Sequence, residues 1–159
     1  MIEVRARRAT AADAGELVRL RIVMFESVDG VAPQPGEWSQ EAVRSLRERL
    51  PEPDARTAAF VVDRPDEPGR LAACAVGAID ARLGSPSNPT GLHGYIFNVA
   101  TDDGYRRRGY SRACMTGLLG WFRHSGIVRV QLHASDDGYE LYRKLGFSDV
   151  ESASMRISL

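Results

Sequence analysis

With 159 residues the chain has room for one sizeable hydrophobic core and too few residues for two ordinary domains, so residues 1–159 read as a single domain. Its 21 basic and 21 acidic residues cancel, which excludes a global field that would hold nucleic acid or an anionic membrane. Hydrophobic residues at 43% and charged ones at 26% are ordinary for a globular protein, and no stretch has the composition of a disordered linker.

The opening MIEVRARRAT lacks the apolar core of a secretion signal, and no apolar run approaches the roughly 20 residues of a membrane helix. The expectation is a soluble, cytoplasmic protein. Residues 2–7 alternate as a short strand does. Thr10 to Asp13 then resembles a capping box with Asp in place of Glu, ahead of Leu17, Leu20 and Met24 on one helical face. FESVDGVAPQPGEW, from Phe25 to Trp38, is punctuated by Gly and Pro and reads as a binding loop. A second helix is expected over about Ser39 to Leu50, where Val43, Leu46 and Leu50 align before Pro51.

Two β-like runs follow at 57–64 and 71–83, joined by the turn-forming PDEPG, and read as an antiparallel pair. LHGYIFNVAT at 92–101 is apolar enough for a central strand. A helix opening near Gly109 carries Cys114, Met115, Leu118, Leu119 and Phe122 on one side, so it packs on a sheet. VRVQLHA at 128–134 reads as a strand, Asp137 to Leu145 as a helix with Gly146 at its C′ position, and SASMRISL at 152–159 as a closing strand. Asp136 or Asp137 is the expected cap of that last helix. Cys74 and Cys114 sit in apolar surroundings without metal-ligand spacing and read as small buried hydrophobes. The element order predicts an α/β (α+β) domain with a mixed sheet.

Between the central strand and its helix, GYRRRGYSRA places Arg106, Arg107, Arg108 and Arg112 where a helix N-terminus is already positive. A strand, a glycine-containing turn and a helix start form a common phosphate-binding geometry, because free backbone N–H groups converge on an anion. The dinucleotide fingerprint GxGxxG is absent. GxxxxGYS, from Gly104 to Ser111, lacks the lysine of a P-loop. The third template, RxxGxG/A, is met by Arg106, Gly109 and the small residue Ser111. A solvated basic turn, partly neutralised by Asp102 and Asp103, is the plain alternative.

Here the sequence resembles the GNAT superfamily of acyl-CoA-dependent N-acyltransferases. RARRATAADAGELVRLR resembles that family's first strand and helix, YIFNVAT its central strand and LYRKLGF its closing helix and turn. The resemblance is weakest from Phe25 to Asp54. It implies a mostly antiparallel sheet flanked by about four helices, with a splayed central strand pair that receives the pantetheine arm. It further implies acetyl-CoA as donor, a diphosphate held by Arg106, Arg107, Arg108, Gly109, Tyr110, Ser111 and Arg112, and an arm along Asn98, Val99 and Thr101. Ser135 falls near a coenzyme-touching position of the family. Tyr142 matches the tyrosine that protonates the departing thiolate, as a phenol with an ordinary pKa near ~10 can.

YIFNVAT has no glutamate to act as general base. Asp80, His93, His133 and Glu26 are candidates, and a water chain with no dedicated base is an equal alternative. Phe25 and Trp38 are candidate walls of an acceptor pocket. Glu26, Asp29 and Glu37 would suit a cationic amine of a small molecule or peptide. The expected chemistry is direct attack of that amine on the thioester, without metal. An acyl-CoA sensor on the same fold, or a domain gripping an acidic partner, are the rival readings. An edge left by the closing strand would suit a homodimer.

Overall fold

The structure, a computed structural model, describes residues 3–159. Ile2, where the first expected strand begins, lies outside them. The alternation of that segment holds, with Val4 and Ala6 packed inward. Its ladder is shorter than expected: β1 is only Arg7–Arg8, extended by the Ala9 amide donating to the Ala59 carbonyl at 2.8 Å. The Thr10 amide donates to Asp13 Oδ2 at 2.8 Å, opening a 3-10 turn that runs into α1 (Ala14–Asp29). α1 continues through Phe25 and Glu26, which the sequence placed in a loop. It ends at Gly30, whose φ of 78° is the left-handed conformation that closes helices. The irregular segment is therefore only residues 30–36, and α2 (Glu37–Arg49) begins two residues earlier than expected.

β2 (Thr57–Asp63), β3 (Leu71–Ala81) and β4 (Leu92–Thr101) form an antiparallel meander, and α3 (Tyr110–His124) crosses to β5 (Val130–Leu132), parallel to β4. The sheet order is β1-β2-β3-β4-β5. α4 (Asp136–Lys144) follows. This is the mixed, mostly antiparallel architecture with four helices that the sequence implied.

Each face of the sheet has its own core. Leu17 and Leu20 of α1, with Leu50 at the end of α2, cover Ala59, Val61, Cys74, Val76 and Ala100. On the other face Cys114, Met115, Leu118 and Phe122 of α3 and Tyr142 of α4 cover Ala58, Ala73, Ala75 and Ile96. The Phe122 ring lies so close to two strands that a Cβ at Gly77 or Gly94 would sit 2.8 or 2.7 Å from it. Cys74 and Cys114 are buried free thiols. Burial pushes the Cys74 thiol up to about 12.

β4 carries the feature that shapes the site. Its register with β3 shifts at Phe97, so that Ile96 faces Gly77 and Asn98 faces Val76. This β-bulge inverts the side-chain alternation. Ile96 and Val99, three residues apart, both pack toward α3, while Ala100 packs toward α1. β5 pairs with β4 only through Gly94, Tyr95 and Ile96. The expected strand at 128–134 shrinks to three residues because the two strands part at the bulge.

The expected closing strand is corrected. Residues 152–159 form no strand and are exposed, with Met155, Ile157 and Leu159 almost fully so. Their alternation is genuine, but among the described residues no ladder partner reaches them. No described helix is long and apolar enough to cross a membrane.

Candidate functional site

Beyond Ile96, β4 runs on to Thr101 with no strand among the described residues on its β5 side. Val99 and Thr101 line the opening on the α3 face, each partly buried. Asn98, expected beside them, is turned the other way. Only 3% exposed, it lies under α1 with Nδ2 3.5 Å from the Leu17 carbonyl and Oδ1 without a partner. The bulge causes this, since it puts Asn98 on the face opposite Val99.

At the end of β4 the chain makes a 3-10 turn, Asp103–Tyr105, then passes through Arg107 (φ 60°) and Gly109 (φ 79°) into α3. A left-handed arginine is costly, on the order of 1–2 kcal/mol, and such strain gathers at functional turns. The first α-helical bond is Ala113 amide to Gly109 carbonyl, at 3.0 Å. The first turn of α3 has no capping side chain and no acidic residue, so amides there point outward without partners. Around them stand Arg106, Arg107, Arg108 and Arg112, all exposed. Arg106 lies 3.1 Å from Asp103, and Arg108 donates to the Gly104 carbonyl at 3.0 Å while covering the Tyr105 ring. Tyr110 stacks on Tyr105, ring centroids 6.2 Å apart. Ser111 Oγ is 2.5 Å from Thr101 Oγ1, which ties the strand end to the helix start. Free amides, a helix dipole and guanidinium groups converge at this turn, an arrangement that favours an anion.

Asp102, expected with Asp103 to neutralise the arginines of the turn, instead anchors the turn to other arginines, and only Asp103 meets Arg106. Buried just before the turn, Asp102 accepts from Arg19 of α1 at 2.9 and 3.0 Å and from Arg64 at 2.7 Å. Arg19 also binds Glu16, which accepts from Arg70 and from the Leu71 amide. Burial pushes the Asp102 carboxyl up, but the bonds from Arg19 and Arg64 outweigh it and hold it below the ordinary carboxylate value. A cavity of about 620 Å³ opens between this turn, Arg64, and Val23 and Glu26 of α1. Glu26 thus lines the cavity beside this turn.

Tyr142 lies on α4, which Ser135 caps: its Oγ accepts from the Gly138 amide at 3.2 Å. Ser135 is thereby the helix cap expected of Asp136 or Asp137. A Cβ at Gly138 would come within 3.0 Å of the Tyr142 hydroxyl, so only glycine leaves room for that ring. Tyr142 is 8% exposed, its ring set edge-on to Phe147. Its hydroxyl finds no protein partner among the described residues, and burial raises its pKa. It lines a cavity of about 740 Å³ shared with Asp80, Tyr95 and His133. His133 packs edge-on to Tyr95, ring centroids 5.9 Å apart. His93 sits opposite Asp80 on the neighbouring strand, its Nε2 3.3 Å from Asn88 Nδ2 and its Nδ1 buried without a partner.

Phe25 and Trp38 do come together, edge to face at 6.1 Å, over a small cavity of about 320 Å³ that also takes in Asp29. Glu26 and Glu37 do not join it. Of the three carboxylates expected to greet an amine, only Asp29 lines the aromatic pocket.

The model of the Acetyltransferase (GNAT) family matches residues 25–147. Among solved structures, a GCN5-related N-acetyltransferase from Ralstonia eutropha JMP134 is 26% identical, covering 98% of this chain and 99% of its own, with a TM-score of 0.80. A predicted acetyltransferase with acetyl-CoA from Clostridium acetobutylicum is 23% identical over 98% and 96% of the two chains, TM-score 0.82. Glucosamine-6-phosphate N-acetyltransferase from Arabidopsis thaliana shares the fold at 18% identity, 99% and 98% coverage and TM-score 0.71. Among curated proteins, none matches this sequence.

Proposed function

The chain belongs to the GNAT acetyltransferase family, and from that premise we propose that it moves an acetyl group from acetyl-CoA to an amine of a small molecule or peptide. The observation that carries this reading is the uncapped start of α3, ringed by four exposed arginines and opening beside the unpaired end of β4. The diphosphate binds there, and the pantetheine arm runs into the opening along Val99 and Thr101. Backbone groups of β4 hold the thioester and meet the oxyanion as the amine attacks its carbonyl carbon. The C–S bond breaks, the amine loses a proton, and Tyr142 delivers one to the thiolate sulfur. Asp80 and His133, sharing a cavity with Tyr142, are the candidate bases, working through water. No covalent enzyme intermediate and no metal is required.

Residues 1–159 act as one domain in this proposal, in the cytoplasm. Association as a homodimer has in its support the short outer edge of β5 and the exposed Met155, Ile157 and Leu159. Sedimentation with and without residues 150–159 tests it.

Calorimetry with acetyl-CoA on the wild type and on Arg106→Ala/Arg108→Ala tests the donor site. Saturable binding that weakens at least tenfold in the double variant is expected. Equal binding by both proteins removes the turn from the site. Thiol release across a panel of amines then separates an enzyme from an acyl-CoA sensor, which binds without turnover.

A further inference from the structure

Partly buried arginines in this protein follow a rule with one exception. Arg8 meets Glu52, Arg19 meets Glu16 and Asp102, Arg64 meets Asp102 and Glu67, and Arg70 meets Glu16 and Glu67. Arg21, half-buried on α1, meets no carboxylate among the described residues. Its one recorded hydrogen bond is a long one, Nη1 to the Phe97 carbonyl at 3.5 Å, and its guanidinium lies 4.8 Å from the centre of the Phe25 ring. Four of its five N–H donors make no bond to the described residues. Burial pulls its pKa down. At Arg19 the same burial is outweighed by Asp102 and Glu16. A partly buried guanidinium with no carboxylate beside it is free to take an incoming anion.

The position of this charge is as telling as its lack of a partner. Phe97 is the bulge residue of β4, the point where β4 and β5 part. Arg21 therefore stands beside the place where the acyl group would be transferred, on the face opposite Val99 and α3. The Phe25 ring that it covers meets Trp38, and Phe97, whose carbonyl it meets, stacks on Tyr95, which in turn meets His133. The outward turn at Arg106–Arg112 already supplies the donor's diphosphate with its own cations. An anion at Arg21 would belong to the other substrate.

We infer that Arg21 is a specificity-determining residue, binding an oxyanion carried by the acceptor, so that the acceptor is an amine bearing a carboxylate or phosphate on an apolar body. This rests on the transferase reading above and names its substrate class. One edge of the guanidinium takes both oxygens of the anion, while the neighbouring aromatic rings take the apolar part.

The test uses matched acceptors: an amino acid against its amide, at α, β and γ spacing of amine and carboxylate, and phosphoethanolamine against ethanolamine. Rates of thiol release are read for wild type, Arg21→Gln and Arg21→Lys. The wild type is expected to favour an anionic acceptor over its neutral partner by at least tenfold in KM. Arg21→Gln should erase that preference, with kcat changed less than threefold, and Arg21→Lys should restore part of it. The carboxylate and phosphate arms report which anion is preferred. Acetyl-CoA binding by calorimetry, unchanged within about twofold, shows that each variant is folded and that the donor site is separate. A wild type indifferent to the anion overturns the inference, as does Arg21→Gln raising the KM of acid and amide alike. If acetyl-CoA binds and no amine turns over, the transferase reading fails and the anion site is read by equilibrium binding. Amino acids must then bind the acetyl-CoA complex in a saturable way that Arg21→Gln abolishes, and lack of such binding sinks the inference too.

Discussion

Tyr142 and Gly138 are one device made of two residues, since the ring occupies the space that any side chain at 138 would fill. Replacing Tyr142 by Phe keeps the ring and its packing and removes only the hydroxyl that carries the proton. The expected result is a 10- to 100-fold loss of kcat with acetyl-CoA affinity intact. An acid must be protonated to work, so wild-type kcat should decline only as pH rises past the phenol's pKa, which burial places above its ordinary value. The Phe variant should lack that alkaline limb in a pH profile of kcat. A second residue-scale test concerns Gly94, where a methyl group would meet the Phe122 ring at 2.7 Å. Gly94→Ala should cost about 1–3 kcal/mol in urea unfolding through overpacking. The places of Tyr142 on the last helix and of the arginines at the start of α3 were legible because each belongs to a short local pattern. Arg21, Arg64 and the true partners of Asp102 were not, because what distinguishes them is a partner, or the lack of one, far away in sequence: Arg19 and Asp102 are 83 residues apart.

At the scale of elements, the pair from Arg19 to Asp102 bolts α1 to the entrance of the α3 turn. Asp102→Asn leaves two guanidinium groups short of a carboxylate and should cost roughly 2–3 kcal/mol at neutral pH, with a weaker grip on acetyl-CoA because the turn loosens. Because the folded pKa of Asp102 is depressed, its contribution is complete above the ordinary carboxylate value and is lost as pH falls through the lowered one. The stability gap between wild type and Asp102→Asn, measured by urea unfolding, should therefore narrow below about pH 4. β2, β3, β4 and α3 could be read from the chain because hydrophobic period and length agreed there. The α1 boundary was missed at Gly30, a closing signal hidden among other loop-like residues. The 152–159 tail was misjudged because alternation specifies a face and says nothing of a partner strand.

For the molecule as a whole, charge is balanced and yet unevenly laid out. Formal net charge is zero, while Arg106, Arg107, Arg108 and Arg112 crowd one turn. Long-range attraction should be feeble and local attraction strong. Acetyl-CoA affinity is expected to fall about five- to tenfold between about 0.05 and about 0.5 M salt, measured by calorimetry, whereas thermal unfolding should change little. The two-sided sheet matters in another way. By inverting the alternation of β4 at one residue, the bulge leaves Tyr95 and Phe97 toward one side and Val99 and Thr101 toward the other. A donor along the latter and an acceptor against the former would approach a single strand from opposite directions, and neither would have to depart before its counterpart arrives. Such an enzyme assembles a ternary complex, so double-reciprocal plots at several fixed donor concentrations should intersect, not run parallel.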